Sequence, residues 1–511
     1  MTVQKPNIVL IMCDQMSASA VGSYGAMPAL TPNIDRLARE GVRFSNFYCN
    51  SPICCASRAS MFSGMYVSDV GVYDNGAEFP AATPTLLHGL KSAGYSTYLS
   101  GKAHFVGPDQ LHGFDERLTP EIYPPTFAWT PNWKERVGLN EGSNVQQLKD
   151  AGRCLWSLQL DYDVNVLHRG LERLREEARL QESQSDPAPF FLNISLTHPH
   201  DPFFIHEEYL SRLTEESAGL PRENWGEAAH HPYNTWINRH HGLDQFEIAE
   251  EQVRRARHAY FAMCSFVDDC VGSVVNEIER LGLTENTMVI FASDHGEMMG
   301  EHGMWFKRTF YDEAVRVPFI VKWPNNARTG SVVDSIHSLV DLFPTLCEAG
   351  KVSDSFLGNC QLRGRSLLKT LVSAEEGRAN RAVIEYLGEG TTEPLRVVVE
   401  DRLKLVSIRG MQPLLFDMQS DPFETVNCIA DPDYERRASR LWETLLDHWN
   451  PDQVKDAILE SQTRRRIINE AAYHRNPPRW GWASSEFHEG SVVKQNAQAE
   501  SEAKRIPPLS Q

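Results

Sequence analysis

The chain has no long hydrophobic run. Its most apolar N-terminal stretch, residues 8–13, stops at Asp14 and is too short for a signal-peptide core or a membrane span. The ten cysteines, at 13, 49, 54, 55, 154, 264, 270, 347, 360 and 428, form no CxxC pair and no zinc spacing. With no secretory pattern beside them they read as reduced thiols, and the expected location is cytoplasmic. Basic charge is scarce: 50 Lys and Arg stand against 68 Asp and Glu, a net charge of −18. No nucleic-acid partner is expected from that balance. With neither a span nor a lipidation signal, no membrane partner is expected either. The one concentrated basic run, Arg464-Arg465-Arg466, reads as a solvated helix face. Internal repeats are also lacking.

What is present suits a globular protein. The 511 residues are 41% apolar and 23% charged, enough to bury a large core without disulfide or metal staples. Short apolar runs alternate with helical patterns. Residues 7–12 read as a fully buried strand, and Thr31-Pro32 as the N-cap and first residue of a helix. Further strands are expected at 95–99, 190–196, 287–292 and 317–321, with a helix over 248–281. This alternation predicts an α/β fold, a large, mostly parallel sheet flanked by helices. After residue 380 the pattern changes to strands at 383–387, 395–399, 403–408 and 414–417, then a helix around 436–449. That predicts a smaller antiparallel sheet. The expected division is a main domain over 1–380, a C-terminal antiparallel-sheet subdomain over 381–470 and an extended tail over 471–511. Trp480, Trp482 and Phe487 in the tail suggest anchors on a neighbouring subunit, so a homo-oligomer, dimer or tetramer, is expected.

Open parallel sheets bind ligands at the carboxyl ends of their strands. Here those ends read Asp14-Gln15, Gly101-Lys102-Ala103-His104, Thr197-His198-Pro199-His200-Asp201 and Ser293-Asp294-His295-Gly296. One such carboxylate could merely cap the next helix, but four charged or imidazole-bearing ends point to one site. Asp14, Asp294 and His295 offer oxygen and nitrogen ligands for a hard or borderline divalent cation. A second cluster, Cys54-Cys55-Ala56-Ser57-Arg58, could be two buried thiols and a surface charge. At a helix N-terminus it would instead form an anion site.

Cys54-Cys55-Ala56-Ser57-Arg58, followed by Met61-Phe62-Ser63-Gly64, resembles the signature of the sulfatase family, a branch of the alkaline-phosphatase-like superfamily. The segments at 6–14, 31–38, 101–104, 293–296 and 303–318 resemble that family's other motifs, in the same order. The resemblance implies that Cys54, and not Cys55, is oxidised to formylglycine by a maturation enzyme. Its hydrate would supply one hydroxyl to attack sulfur, giving a covalent sulfated intermediate, and a second to expel sulfate. It implies one divalent cation on Asp14, Asp294, His295 and modified Cys54, calcium first, with manganese and magnesium as alternatives. Arg58 and Lys102 would fix the nucleophile and the anion, His104 would take the second hydroxyl's proton, and His198 with Lys307 would protonate the leaving oxygen. Gln15 stands where the family has a second Asp. It is a candidate further ligand, and Asn75 a candidate amide ligand or anion contact.

Three segments, at 72–78, 197–203 and 304–311, together with a stretch over 459–466, resemble the choline-sulfatase subfamily. That implies choline-O-sulfate as the substrate. A quaternary ammonium donates no hydrogen bonds and is held by aromatic faces and a nearby carboxylate. Trp129, in a loop rich in proline and aromatics, is the candidate face, with a loop anchor as the alternative. Glu385, in the otherwise apolar strand at 383–387, lies on a solvated face or supplies the counter-charge. The rival readings are an aryl sulfatase, a phosphonate or phosphate ester hydrolase of the same superfamily, or a silent anion-binding scaffold.

Overall fold

A strand apolar from end to end must be covered on both faces, and Asn7–Cys13 is buried at every residue. The computed structural model describes residues 5–473 apart from 26–28, 136–137, 141, 223–225, 325–327 and 374–379. In it, Asn7–Cys13 lies inside an eight-stranded sheet. The strand order is Ser331–Ser338, Val42–Tyr48, Phe319–Lys322, Thr287–Ser293, Asn7–Cys13, Phe190–Ser195, Ser96–Gly101 and Glu116–Arg117. Neighbours run parallel except at Phe319–Lys322, which is antiparallel to both strands beside it. The sheet is therefore mixed and mostly parallel, as the alternating pattern predicts.

Side chains of the central strand divide between two cores. Ile8, Leu10 and Met12 join Phe62, Leu90 and Leu346 on one face. Val9, Ile11 and Cys13 join Leu174, Phe261 and Val271 on the other. The first face is covered by the helices Cys54–Ser63, Leu86–Ser92 and Leu342–Ala349, the second by Pro32–Glu40, Leu158–Ser183 and Glu250–Arg280.

Four strands lack the continuous apolar run that marks the others, among them Ser96–Gly101, which mixes serine, threonine and glycine with Tyr98 and Leu99. Val42–Tyr48 interleaves buried and partly exposed residues. Ser331–Ser338 is a polar edge strand with a register shift between Val333 and Ile336, and Glu116–Arg117 is a two-residue edge. Edge strands are covered on fewer sides and tolerate polar residues.

The second sheet has four antiparallel strands, Arg381–Tyr386, Leu395–Glu400, Leu403–Ile408 and Leu414–Asp417, followed by the helix Glu435–Leu446. Its buried residues Val397, Leu405 and Phe416 belong to the same core as Phe62 and Leu346, so the two sheets share one apolar interior.

The helix Pro451–Tyr473 corrects one expectation. Arg464 is exposed and pairs with Glu460 at 2.6 Å, but Arg465 is only 5% exposed. Arg465 turns inward because a buried carboxylate, Asp74, meets it there. Among the described residues no helix is long and apolar enough to cross a membrane. Trp480, Trp482 and Phe487 lie outside the described residues.

Candidate active site

Asn7–Cys13 and Thr287–Ser293 are adjacent and parallel, with Cys13 opposite Ser293. The residues that follow them, Asp14 and Asp294, therefore emerge side by side. The helix Cys54–Ser63 begins at the same edge with Cys54 as its first residue. Ser57 donates to the Asp294 carbonyl at 2.6 Å and pins this helix to the strand end. Cys54 Sγ then lies 3.6 Å from Asp14 Oδ1 and 3.2 Å from His295 Nε2. One donor atom each from Asp14, Cys54, Asp294 and His295 lies within 4.8 Å of the others, and all four residues are buried.

These donors fit a divalent cation. Two carboxylates and an imidazole nitrogen converge on one point, and His295 Nδ1 sits 3.1 Å from the Gly296 carbonyl, which leaves Nε2 facing the cluster. Burial above all keeps His295 neutral, bringing its pKa down to about 4, and neutral imidazole is the form that binds metal. Burial works against the charge on Asp14, yet Lys102, His200, His295 and Arg58 hold its carboxyl well below the usual range.

Two cations stand behind the carboxylates. Lys102 Nζ donates to Asp14 Oδ2. Arg58 Nε donates to Asp294 Oδ2 at 2.8 Å, and its Nη1 to the Lys102 carbonyl and Ser195 Oγ, both at 2.8 Å. Its Nη2 has no protein partner. His104 is 1% exposed, with neither ring nitrogen bonded to protein. Burial, then Lys102 and Arg58, hold its pKa well below the ordinary value. Its backbone, at φ 56°, is fixed by an N–H bond to Glu121 Oε2 at 2.8 Å.

The segment with two histidines resolves in a way that spacing could not. His198 Nδ1 bonds Asp163 at 2.7 Å, and its ring packs edge-on against Phe266 with centroids 4.8 Å apart. His200 instead approaches Lys307, Nε2 to Nζ at 2.6 Å. The imidazole beside Lys307 is thus His200, and His198 braces the strand end through Asp163. Gln15, at φ 69°, accepts from Lys307 at Oε1 and directs Nε2 to Asp201 at 3.1 Å and Glu297 at 2.5 Å. Its amide is engaged on both sides by these residues, whereas Asp14 and Asp294 converge on Cys54.

Asn75 Oδ1 accepts the Cys55 N–H at 3.1 Å, so it caps the helix that carries Cys54. Trp129 is half-buried and meets His104 edge-on at 5.7 Å between centroids. Tyr123, absent from the sequence-based set, links this wall together. Its ring lies 4.2 Å from Lys102 Nζ, stacks on His104 at 4.9 Å and sits 5.5 Å from Trp129. Its only signal in the sequence was membership of the same aromatic loop. Glu385 is neither solvated nor open toward a ligand. It is fully buried, accepts from Ser68 N at 2.7 Å and Ser68 Oγ at 3.0 Å, and lies 3.3 Å from Arg396 Nε. Its carboxylate caps the short helix Val67–Val70 and balances an arginine of the next strand.

The comparisons agree with this geometry. The Sulfatase family model matches residues 6–352, and a model described as N-sulphoglucosamine sulphohydrolase, C-terminal, matches 300–450. The choline-sulfatase of Rhizobium meliloti (strain 1021) is 34% identical over 498 residues, covering 94% of each chain. The arylsulfatase of Clostridium perfringens is 30% identical over 471 residues, covering 86% of this chain and 94% of that one. The structure of a phosphonate monoester hydrolase of Agrobacterium radiobacter matches with a TM-score of 0.69 at 24% identity, over 86% of this chain and 95% of that one, a likeness of fold. With the signature cysteine seated among Asp14, Asp294 and His295, and a family model spanning most of its length, this chain belongs to the sulfatase family.

Proposed function

We propose that this protein hydrolyses choline-O-sulfate to choline and sulfate, with Cys54 matured to formylglycine by a dedicated enzyme. The observation that carries the reading is the approach of Cys54 Sγ to both Asp14 and His295 at a buried helix N-terminus. That sulfur marks where the hydrated aldehyde's oxygens would stand. A divalent ion on Asp14, Asp294, His295 and residue 54 would, when bound, acidify the attacking hydroxyl and draw charge from the sulfuryl oxygens. We take it to be calcium, on the two carboxylates, with manganese and magnesium as the alternatives.

The other roles belong to the chain's own side chains. Arg58 and Lys102 offset the carboxylates and offer positive charge to the incoming anion, Arg58 through its unpartnered Nη2. His104, kept neutral by burial, is suited to accept the proton whose loss releases sulfate. His200 and Lys307 stand together as the pair that gives the leaving oxygen its proton. Asn75 holds the nucleophile's helix. Trp129 and Tyr123 offer aromatic faces to a quaternary ammonium beside His104.

The 34% identical choline-sulfatase supports this ester over others. The expected assembly is a homo-oligomer built with the tail over 471–511, and the expected compartment is the cytoplasm, in keeping with ten free thiols. The deciding measurement is kcat/KM on choline-O-sulfate, 4-nitrophenyl sulfate and a phenyl phosphonate monoester, alongside the intact mass of the Cys54 peptide. Choline-O-sulfate should lead by at least ~10-fold, and maturation should lower the peptide mass by about 18 Da, the change from CH2-SH to CHO. A lead for the aryl sulfate or the phosphonate would replace this reading with that one.

A further inference from the structure

Arg465 lies 391 positions after Asp74 in the chain, yet its guanidinium grips that carboxylate with both terminal nitrogens, at 2.7 and 2.8 Å. Its Nη1 also donates to Thr130 Oγ1 at 3.0 Å. Two loops therefore hang from one side chain. In the first, Asp74 Oδ1 also accepts the Gly76 N–H at 2.9 Å, which fixes the turn that presents Asn75 to the helix of Cys54. In the second, Thr130 follows Trp129 directly. The loops touch so closely that a Cβ on Gly76 would stand 2.5 Å from Thr130 N and 2.7 Å from the Trp129 carbonyl carbon. The same helix makes one more tie, where Gln462 Oε1 accepts the Trp133 N–H at 2.9 Å.

Charge explains why arginine is needed. Asp74 is fully buried, and burial above all, with the charge of Glu389, pushes its carboxyl up from the ordinary value, while Arg465 pulls it down. A bare carboxylate on this wall would repel a sulfate ester, whereas a bidentate guanidinium neutralises it and fixes its plane. Arg465 reaches the helix of Cys54 through Asp74 and Asn75, but not Asp14, Asp294 or His295. Those residues are held by strand ends, Arg58 and Lys102.

We infer that Arg465 is a specificity-determining positioning residue: from the C-terminal helix it clamps the Asp74–Gly76 and Trp129–Thr130 loops and so sets where the Trp129 face meets the leaving group. The inference rests on the cationic-ester reading above.

The test is a double-mutant cycle read as a ratio. We would measure kcat/KM for choline-O-sulfate and for its carbon isostere with an uncharged headgroup, 3,3-dimethylbutyl sulfate, in wild type, Arg465→Gln, Trp129→Ala and the double variant. The cationic ester should lead in wild type. Each single variant should lower that lead by ~5–30-fold, the range a desolvated cation–π contact provides. The double variant should lose no more than Trp129→Ala alone, because one change acts through the other. Thr130→Val, which removes one arm of the clamp without leaving a buried charge, should move the ratio the same way by less, and covers the case in which Arg465→Gln does not fold. Arg465→Lys should restore only part of the ratio. A wild-type ratio near one would overturn the choline reading and this inference together. A wild-type lead left intact by both Arg465→Gln and Thr130→Val, or losses that add in the double variant, would overturn the role of Arg465 alone.

Discussion

Asp14, Asp294 and His295 follow adjacent parallel strands, and Cys54 and Arg58 share one buried helix, so a few elements of the main sheet fix this end of the site. The aromatic rim around Trp129 is built otherwise. Asn75, Tyr123 and Trp129 stand on loops braced by Asp74, Thr130 and the distant Arg465. The first construction is stiff because each polar group is tied to the sheet, as Ser57 is to the Asp294 carbonyl. The second can change with little effect on Asp14, Asp294 and His295, although Asn75 ties it to the helix of Cys54. A family that keeps one chemistry and varies its esters would be expected to vary the rim.

The sharpest way to break the comparison is at its stiff end. Cys54→Ala should abolish turnover of every ester alike, while Cys55→Ala, whose thiol contacts the Ala77 carbonyl, should keep most activity. Cys54→Ser should give one turnover and then stall as a sulfate ester, visible as a mass increase on the peptide, because serine offers no second hydroxyl. Steady turnover by that variant would show that release does not need the aldehyde.

Next in size comes the proton donor, where leaving groups should separate. His200→Ala should cost ~10²–10⁴-fold on an alkyl sulfate and far less on 4-nitrophenyl sulfate, whose phenolate leaves unaided. His198→Ala, which removes the partner of Asp163, should lower both rates by a similar and smaller factor. If His198→Ala were the selective variant instead, the donor would be that histidine.

A third change asks whether Glu385 belongs to the rim at all. Glu385→Ala leaves Arg396 buried with two carbonyl partners but no counter-charge from Glu385 and should destabilise the fold by ~3–5 kcal/mol. The preference for a cationic over a neutral ester should not move. Denaturant unfolding read with the same kinetic ratio checks both halves, and a shifted ratio would return Glu385 to the site.

The smallest effect should come with pH. His112 is buried against Phe79 and Phe105, behind the rim loop that follows Lys102, and burial lowers its pKa to about 4. The unfolded imidazole titrates near 6.5, so the unfolded state binds more protons between those values. Stability from this residue is complete above about pH 6.5 and falls as pH drops toward 4. Hydrogen exchange at residues 104–114 should therefore differ between about pH 7 and about pH 5, quickening at the lower value. His112→Phe, which keeps the stacked ring and cannot titrate, should remove the difference.

The sequence by itself determined the fold class, the second antiparallel sheet and the metal-like cluster. A fully buried strand is mostly apolar, so the runs at 7–12 and 287–292 announce themselves, and whatever follows them is brought to a shared edge. Cys54 and Arg58 were equally legible, because their chemistry depends on spacing within one helix. Tertiary structure alone decided the rest. Phe319–Lys322 carries the apolar residues of a parallel strand but runs antiparallel, since direction is set by neighbours rather than composition. His198 and His200 both sit beside a proline, and only the placement of Asp163 and Lys307 separates them. Arg465 reads as one of three solvated arginines until Asp74 meets it. A charged side chain is buried only where its partner is buried too, and the partner of Arg465 lies 391 residues away along the chain.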